Sequence, residues 1–285
     1  MIDMHTHILP GVDDGAETME TAIEMIGSSI KNGTKEILLT PHGNIMGLYE
    51  NFELSKLRNQ YRKLQEELLK RKIGATLHLG MEVFGTYDIE KKIQNHEVLP
   101  IGQSKYMLVE FEFEEDAETM FLILKKICEQ GFRPIIAHPE RYSVVKDHPS
   151  IVYEWNRLNY GIQINKGSLA GRFGKREEET VFLLLDANLV QIIASDCHDC
   201  FDRKPGLKNI YTYISENYSE GYAELLMEIN PKRVLENKKI LIVNPRKAIG
   251  KYVHTYNFER CHSALNNQTP ASCYYPILLL DDHAA

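Results

Sequence analysis

Short apolar runs alternate with longer stretches of helical periodicity along most of this chain. The runs are the stretch from Ile2 to His5, then KEILLTPH, ATLHLGMEV, KYMLVEFEF, RPIIAHPER, GIQINKGS and LVQIIASDCH. Each is short and most are bounded by glycine, proline or polar residues, so they read as seven buried strands, the sixth the weakest. Between them, Met19, Ala22, Ile23, Ile26 and Ile30 keep helical spacing behind a capping Thr18, and Gly33 ends that helix. Leu54, Leu57, Tyr61, Leu64 and Leu68 line one face of a second, longer helix, and helical patterns continue to about Leu235. This alternation predicts an α/β fold, with the strands in a closed or nearly closed parallel barrel. Such barrels place their chemistry at the C-terminal ends of the strands, where the loops converge.

The predicted strand ends carry the chemistry. The first ends in His5 and His7, the second in His42, the third in Glu82, the fourth in Glu110, the fifth in His138, and the seventh in Asp196 and His198. The sixth ends near Asn165, which is not a strong metal ligand. Any one of these alone is explained as a buried, hydrogen-bonded polar residue. Together they are the imidazole and carboxylate donors that bind borderline and hard divalent cations. An acid closing an apolar strand is costly to bury as a charge unless a cation offsets it.

Composition narrows the function classes. The chain has 285 residues and a net charge of -7, so it has no overall basic footprint for nucleic acid or anionic lipid. Its five cysteines are an odd, sparse set that suits a reducing, cytoplasmic setting better than a disulfide framework. No signal peptide is expected from the first residues, and no apolar run approaches the roughly 20 residues that span a membrane.

The motifs H-x-H, DDG, TPH, GME, VEF, AHPER and ASDCH, in this order, resemble the polymerase-and-histidinol-phosphatase (PHP) family. They resemble most closely its bacterial tyrosine-protein phosphatases of capsule and exopolysaccharide synthesis. The resemblance runs from Met1 to about Lys251 and implies a distorted, TIM-like (β/α)7 barrel with three divalent metal ions, often manganese, with iron, cobalt or zinc as alternatives. It implies one metal at His5, His7, Glu82 and Asp196, a second at Glu82, Glu110 and His138, and a third at Asp14, His42 and His198. Asp13 would then stand behind the ligands, although the sequence leaves a swap with Asp14 open. Arg141 and Arg203 fall where the family contacts phosphate. The implied reaction is hydrolysis of phosphotyrosine by metal-bound hydroxide, on a partner that is a membrane-associated bacterial tyrosine kinase. The expected domain is residues 1–252, with an extension of no assigned role at 253–285.

Competing readings accompany these. Cys197 and Arg203 have the C-x5-R spacing of cysteine-dependent phosphatases, but the intervening stretch has no glycine and carries two acids that oppose an anion. The Cys197-x-x-Cys200 pair has no second half for a zinc site. His78, His96 and His148 read as core or surface histidines. Lys166 and Arg172 form a basic, glycine-rich loop that is either an acidic-phosphopeptide contact or plain solvated loop. GNIMGLYENF is either a substrate-facing rim or an ordinary surface loop. A histidinol-phosphate-type phosphatase, an exonuclease and a non-catalytic phosphotyrosine scaffold are the alternative functions.

Overall fold

The structure, a computed structural model, describes residues 1–243. The expected domain end at Tyr252 and the extension 253–285 lie outside the described residues. The strands are β1 (Ile2–Asp3), β2 (Glu36–Leu39), β3 (His42–Gly43), β4 (Thr76–Leu79), β5 (Glu82–Phe84), β6 (Tyr106–Glu110), β7 (Arg133–Ala137), β8 (Gly161–Asn165) and β9 (Ile192–Ala194). All pairings between them are parallel. They form two sheets, ordered β1-β2-β4 and β3-β5-β6-β7-β8-β9. Two of the runs expected as single strands are therefore broken. KEILLTPH divides into β2 and β3 at Thr40–Pro41, and ATLHLGMEV divides into β4 and β5 at Gly80–Met81. Proline has no N–H for the ladder, and glycine loosens a strand interior, so each break coincides with a residue that weakens pairing. Backbone hydrogen bonds also run from Asp196 N to His5 O (2.9 Å) and from His7 N to Cys197 O (2.9 Å), joining the end of the first segment to the end of the last.

Helices connect the strands and supply the outer layer. Met19–Lys31 begins where the Thr18 side chain accepts from Thr21 N, and it buries Ala22, Ile23, Met25 and Ile26. Leu54–Lys70 buries Leu57, Leu64 and Leu68 as expected from their spacing. Strand residues alternate between two apolar clusters, as the period of two requires. On β6, Met107 and Val109 join the large cluster beneath the helices, whereas Tyr106 and Leu108 join a smaller one with Ile2, Met4, Leu38 and Ile135. The next residue on this second face of β6 is Glu110, and the candidate ligands begin there.

Candidate metal centre

Met1–Gly15 shows how a local sequence builds half a site. Asp13 accepts from His7 Nδ1–H (2.8 Å), Gly15 N (3.0 Å) and His42 N (3.1 Å). Ala16 N donates to His7 O at 2.9 Å. This turn packs so closely on His7 that a Cβ at Gly15 would lie 1.9 Å from the His7 carbonyl oxygen. Glycine is therefore a steric requirement there. Asp13 is fully committed to orienting its neighbours, while Asp14, 46% exposed, points its Oδ1 at His42 Nε2 and His198 Nε2, each 3.5 Å away.

Two other ligand candidates are aimed by unusual backbone. His138 and Asp196 have φ values of 34° and 51°. Non-glycine residues rarely hold that region, and strain of this kind persists where surrounding structure enforces it. In β7, Ala137 faces the smaller cluster, so an extended His138 would face away from it. The left-handed turn brings His138 Nε2 to 2.9 Å from Glu82 Oε1.

All nine expected ligand residues converge. Glu82 Oε2 lies 3.0 Å from His5 Nε2, 3.2 Å from His7 Nε2 and 3.2 Å from His42 Nδ1. Asp196 Oδ1 lies 3.5 Å from His5 Nε2 and 3.4 Å from His7 Nε2. Glu110 lies 2.8 Å from His42 Nδ1 and 3.9 Å from His138 Nε2. Four sets have donor atoms close enough to share an ion: His7, Asp14, His42 and His198; His5, His7 and Asp196; His5, Glu82 and His138; and His42, Glu82 and Glu110.

The hydrogen-bond partners of the imidazoles show that the donor set fits cations. His5 Nδ1–H donates to Gln163 Oε1 (2.8 Å), His7 Nδ1–H to Asp13 and His198 Nδ1–H to Asp196 O (3.1 Å), whereas His42 Nδ1 itself faces two candidate ligands, Glu82 and Glu110. In each of the three donating rings, when neutral, the Nε2 then carries a lone pair. Those lone pairs face one another or carboxylates: His5 Nε2 is 3.2 Å from His7 Nε2, and His198 Nε2 faces Asp14. Lone pairs and anions repel unless a positive charge lies between them. Buried Asp196 Oδ1 and His198 Nε2 also lack a hydrogen-bond partner among the described residues. Ligands about 2.1 Å from a common ion stand roughly 3.0–3.5 Å apart, the spacing found here.

The imidazoles and carboxylates also shift one another's pKa values. Burial acts to lower the pKa of His5, but Glu82 and Asp196 outweigh it and raise it. Burial likewise acts on His7, and Asp13 outweighs it, raising the pKa well above the ordinary value. At His198 burial prevails, with His7 adding to it, and lowers the pKa to about 4. Burial would raise Glu82, but His5 and His42 hold it well below the usual carboxylate range.

Sequence reasoning missed the role of β8. Gln163 Nε2 donates to Asn165 Oδ1 (2.8 Å), which fixes its Oε1 toward His5, and Asn165 Nδ2 donates to Asp196 Oδ2 (2.5 Å). Buried Glu140, in turn, accepts from Asn165 N (2.9 Å) and Ser168 Oγ (2.6 Å). The strand lacking a ligand thus holds two of them in place, the orienting function that outer partners serve around metals. The signal available was Gln163 and Asn165 two residues apart on one strand face.

The arginines differ. Arg203 donates Nε to Asp196 O (3.2 Å) and Nη2 to Asp196 Oδ2. The Arg141 guanidinium lies between the rings of Phe113 (4.2 Å) and Phe173 (4.6 Å) and has no carboxylate partner among the described residues. Cys197 is fully buried, and burial pushes its thiol up to about 12. Tyr49, in the GNIMGLYENF loop, stacks on His42 at 5.7 Å, whereas Met46 and Leu48 at its tip are exposed.

Comparison with known proteins adds the following. Residues 1–236 match the family described as capsular polysaccharide synthesis, CpsB/CapC. The tyrosine-protein phosphatase YwqE of Bacillus subtilis is 32% identical over 249 residues, covering 86% of this chain and 96% of that protein. The tyrosine-protein phosphatase CpsB of Streptococcus pneumoniae is 27% identical over 245 residues, covering 84% and 100%. A crystal structure from work on YwqE and CpsB, described as unique metal-dependent tyrosine phosphatases, superposes with a TM-score of 0.80. It is 29% identical and covers 86% of this chain and 98% of its own.

Proposed function

This chain belongs to the CpsB/CapC family of capsular polysaccharide synthesis, and from that membership and the site geometry we infer that it is a metal-dependent protein-tyrosine phosphatase. The observation that carries the inference is the set of imidazoles of His5, His7 and His198, whose Nδ1 atoms are held by Gln163, Asp13 and the Asp196 carbonyl while their Nε2 atoms turn to the carboxylates of Glu82, Asp196 and Asp14. Three cations are proposed: one at His5, His7, Glu82 and Asp196, one at Glu82, Glu110 and His138, and one at Asp14, His42 and His198. A donor set of nitrogen and oxygen without thiolate suits manganese, with iron, cobalt or zinc as alternatives. The two sheets are proposed to form one distorted seven-stranded barrel, a reading supported by the backbone bridge between Thr6 and Cys197.

A phosphomonoester is anionic and resists attack. Bound divalent cations supply the positive charge that offsets it and the acidity that makes water a useful nucleophile at neutral pH. The protein's residues do the rest. Asp13, Gln163 and Asn165 hold the ligands in one tautomer and orientation. Arg141, lying over the rings of Phe113 and Phe173 and without a carboxylate partner among the described residues, is placed to take a phosphoryl oxygen pair through its planar fork. Arg203, already bound to Asp196, would offer the phosphate its remaining Nη1. The phenolate leaving group, with a pKa of about 10, has little need of a strong general acid.

The proposed substrate is a tyrosine-phosphorylated protein, namely the membrane-associated bacterial tyrosine kinase of capsule synthesis. No helix among the described residues is long and apolar enough to cross a membrane, and a cytoplasmic location is proposed from the odd, sparse set of cysteines. The test is phosphate release from a phosphotyrosine peptide, histidinol phosphate and single-stranded DNA, with manganese or with chelator. Manganese-dependent release from the peptide in clear preference to the others is expected. Preference for histidinol phosphate or DNA would overturn the assignment.

A further inference from the structure

A second cavity of about 530 Å³ adjoins the metal centre and shares Asp196 and Arg203 with it. Its walls come from the segment after β8, the segment after β9, and the end of Met19–Lys31. Phe173 stands at the junction, within 5.9 Å of Arg203 and 4.6 Å of Arg141. The lining carries the cations Lys166, Arg172, Arg203, Lys204 and Lys208, against the carboxylates Asp196 and Asp202. Two ion pairs cancel: Arg203 with Asp196, and Arg172 with Asp202. The three lysines remain. Lys166 Nζ donates to Gly206 O at 2.6 Å, and its charge also interacts with the buried carboxylate of Asp3. Lys204 and Lys208 have no hydrogen-bond or ion-pair partner among the described residues. A concentration of positive charge this local, on a chain of net charge -7, attracts an anion.

We propose that this cavity is a substrate subsite for a carboxylate-bearing residue flanking the phosphotyrosine, so that the enzyme selects acidic phosphopeptides. The proposal rests on the phosphotyrosine assignment above. The phosphate and the flanking acid would be received by adjoining compartments separated by Asp196 and Arg203. The arginine pair with Asp196 keeps that shared wall from repelling either anion. Solvent-facing lysines give modest, salt-screened attraction, so the effect belongs in KM and in ionic-strength dependence rather than in kcat.

The test uses the full-length, metal-loaded protein on phosphotyrosine peptides that differ only in flanking residues: aspartate and glutamate, neutral, or lysine. Free phosphotyrosine is the control. The wild type should prefer the acidic over the lysine peptide by about tenfold in kcat/KM at low salt, a preference that shrinks at high salt. Lys204→Ala with Lys208→Ala should cut the acidic-to-neutral ratio by about fivefold through KM and leave free phosphotyrosine unchanged. Lys204→Glu with Lys208→Glu should turn the preference toward the lysine peptide. Unchanged ratios in both variants overturn the subsite while the phosphatase assignment stands. So does a result in which the variants alter only inhibition by inorganic phosphate, equally for all substrates, which would mark a free-anion site. Absence of turnover on every phosphotyrosine substrate would instead remove the assignment itself, and the subsite with it.

Discussion

Tyr106, Leu108 and Glu110 follow one another along a single face of β6, yet they belong to two different interiors. The first two pack with Ile2, Met4 and Ile135 in an apolar plug, and the third opens a chamber of imidazoles and carboxylates. The plug gains by removing apolar surface from water, at roughly 25 cal/mol per Å². The chamber can only lose by that measure, because burying carboxylates costs several kcal/mol each unless opposite charge is supplied. One half of the interior is thus built to be stable by itself, and the other is built to be completed by cations. This contrast separates what stabilises the molecule from what makes it react.

Substitutions in the two halves should therefore have opposite signatures. Glu82→Gln removes the carboxylate that touches four histidines, so it should empty the two cation sites it shares and lower turnover a thousandfold or more, about 4 kcal/mol of barrier. Leu108→Ala, in the plug, should cost about 2–5 kcal/mol of stability and leave metal content and kcat close to wild type. Elemental analysis with thermal unfolding on both variants checks the pair, and equal metal loss in both would break the contrast. Gln163→Leu keeps every ligand but frees His5 Nδ1, and should weaken metal affinity roughly 10–100-fold, read by competition with a chelator. Arg141→Ala should lower kcat/KM by about one to two decades, the loss of a charged hydrogen bond of roughly 1.5–3 kcal/mol, at unchanged metal content. Cys197→Ser should change turnover least, within about threefold at matched metal loading, because the side chain sits in the outer apolar cluster and burial keeps it a thiol. A folded, metal-replete Cys197→Ser protein without activity would place the cysteine in the chemistry.

The helices and the inward strand faces were legible because they rest on periodicity: Leu57, Leu64 and Leu68 had to share a side, as did Leu108 and Glu110. The candidate ligands other than Asp14 were legible because they close apolar runs with groups that are costly to bury there, whereas Asp14, in an exposed turn, was marked only by the family resemblance. What periodicity does not encode was hidden. The breaks at Thr40–Pro41 and Gly80–Met81 depend on where two neighbouring strands cease to pair. The aim of His138 depends on a left-handed backbone turn, since simple alternation would have pointed it away. Gln163 and Asn165 were passed over because amides are weak ligands, and their value lies in long-range partners, His5 and Asp196, that only the assembled fold brings near. Phe173 sits in a loop, and nothing local marks it as the ring that flanks Arg141.

The central claim is that the polar half of the interior is completed by divalent cations and works only with them. It is tested most directly by following metal content and phosphotyrosine-peptide turnover in one sample through chelation and re-addition. The account predicts that purified active protein carries divalent metal, that stripping it to trace levels abolishes turnover, and that manganese restores both together. Undiminished turnover in protein shown by elemental analysis to hold only trace metal would contradict it.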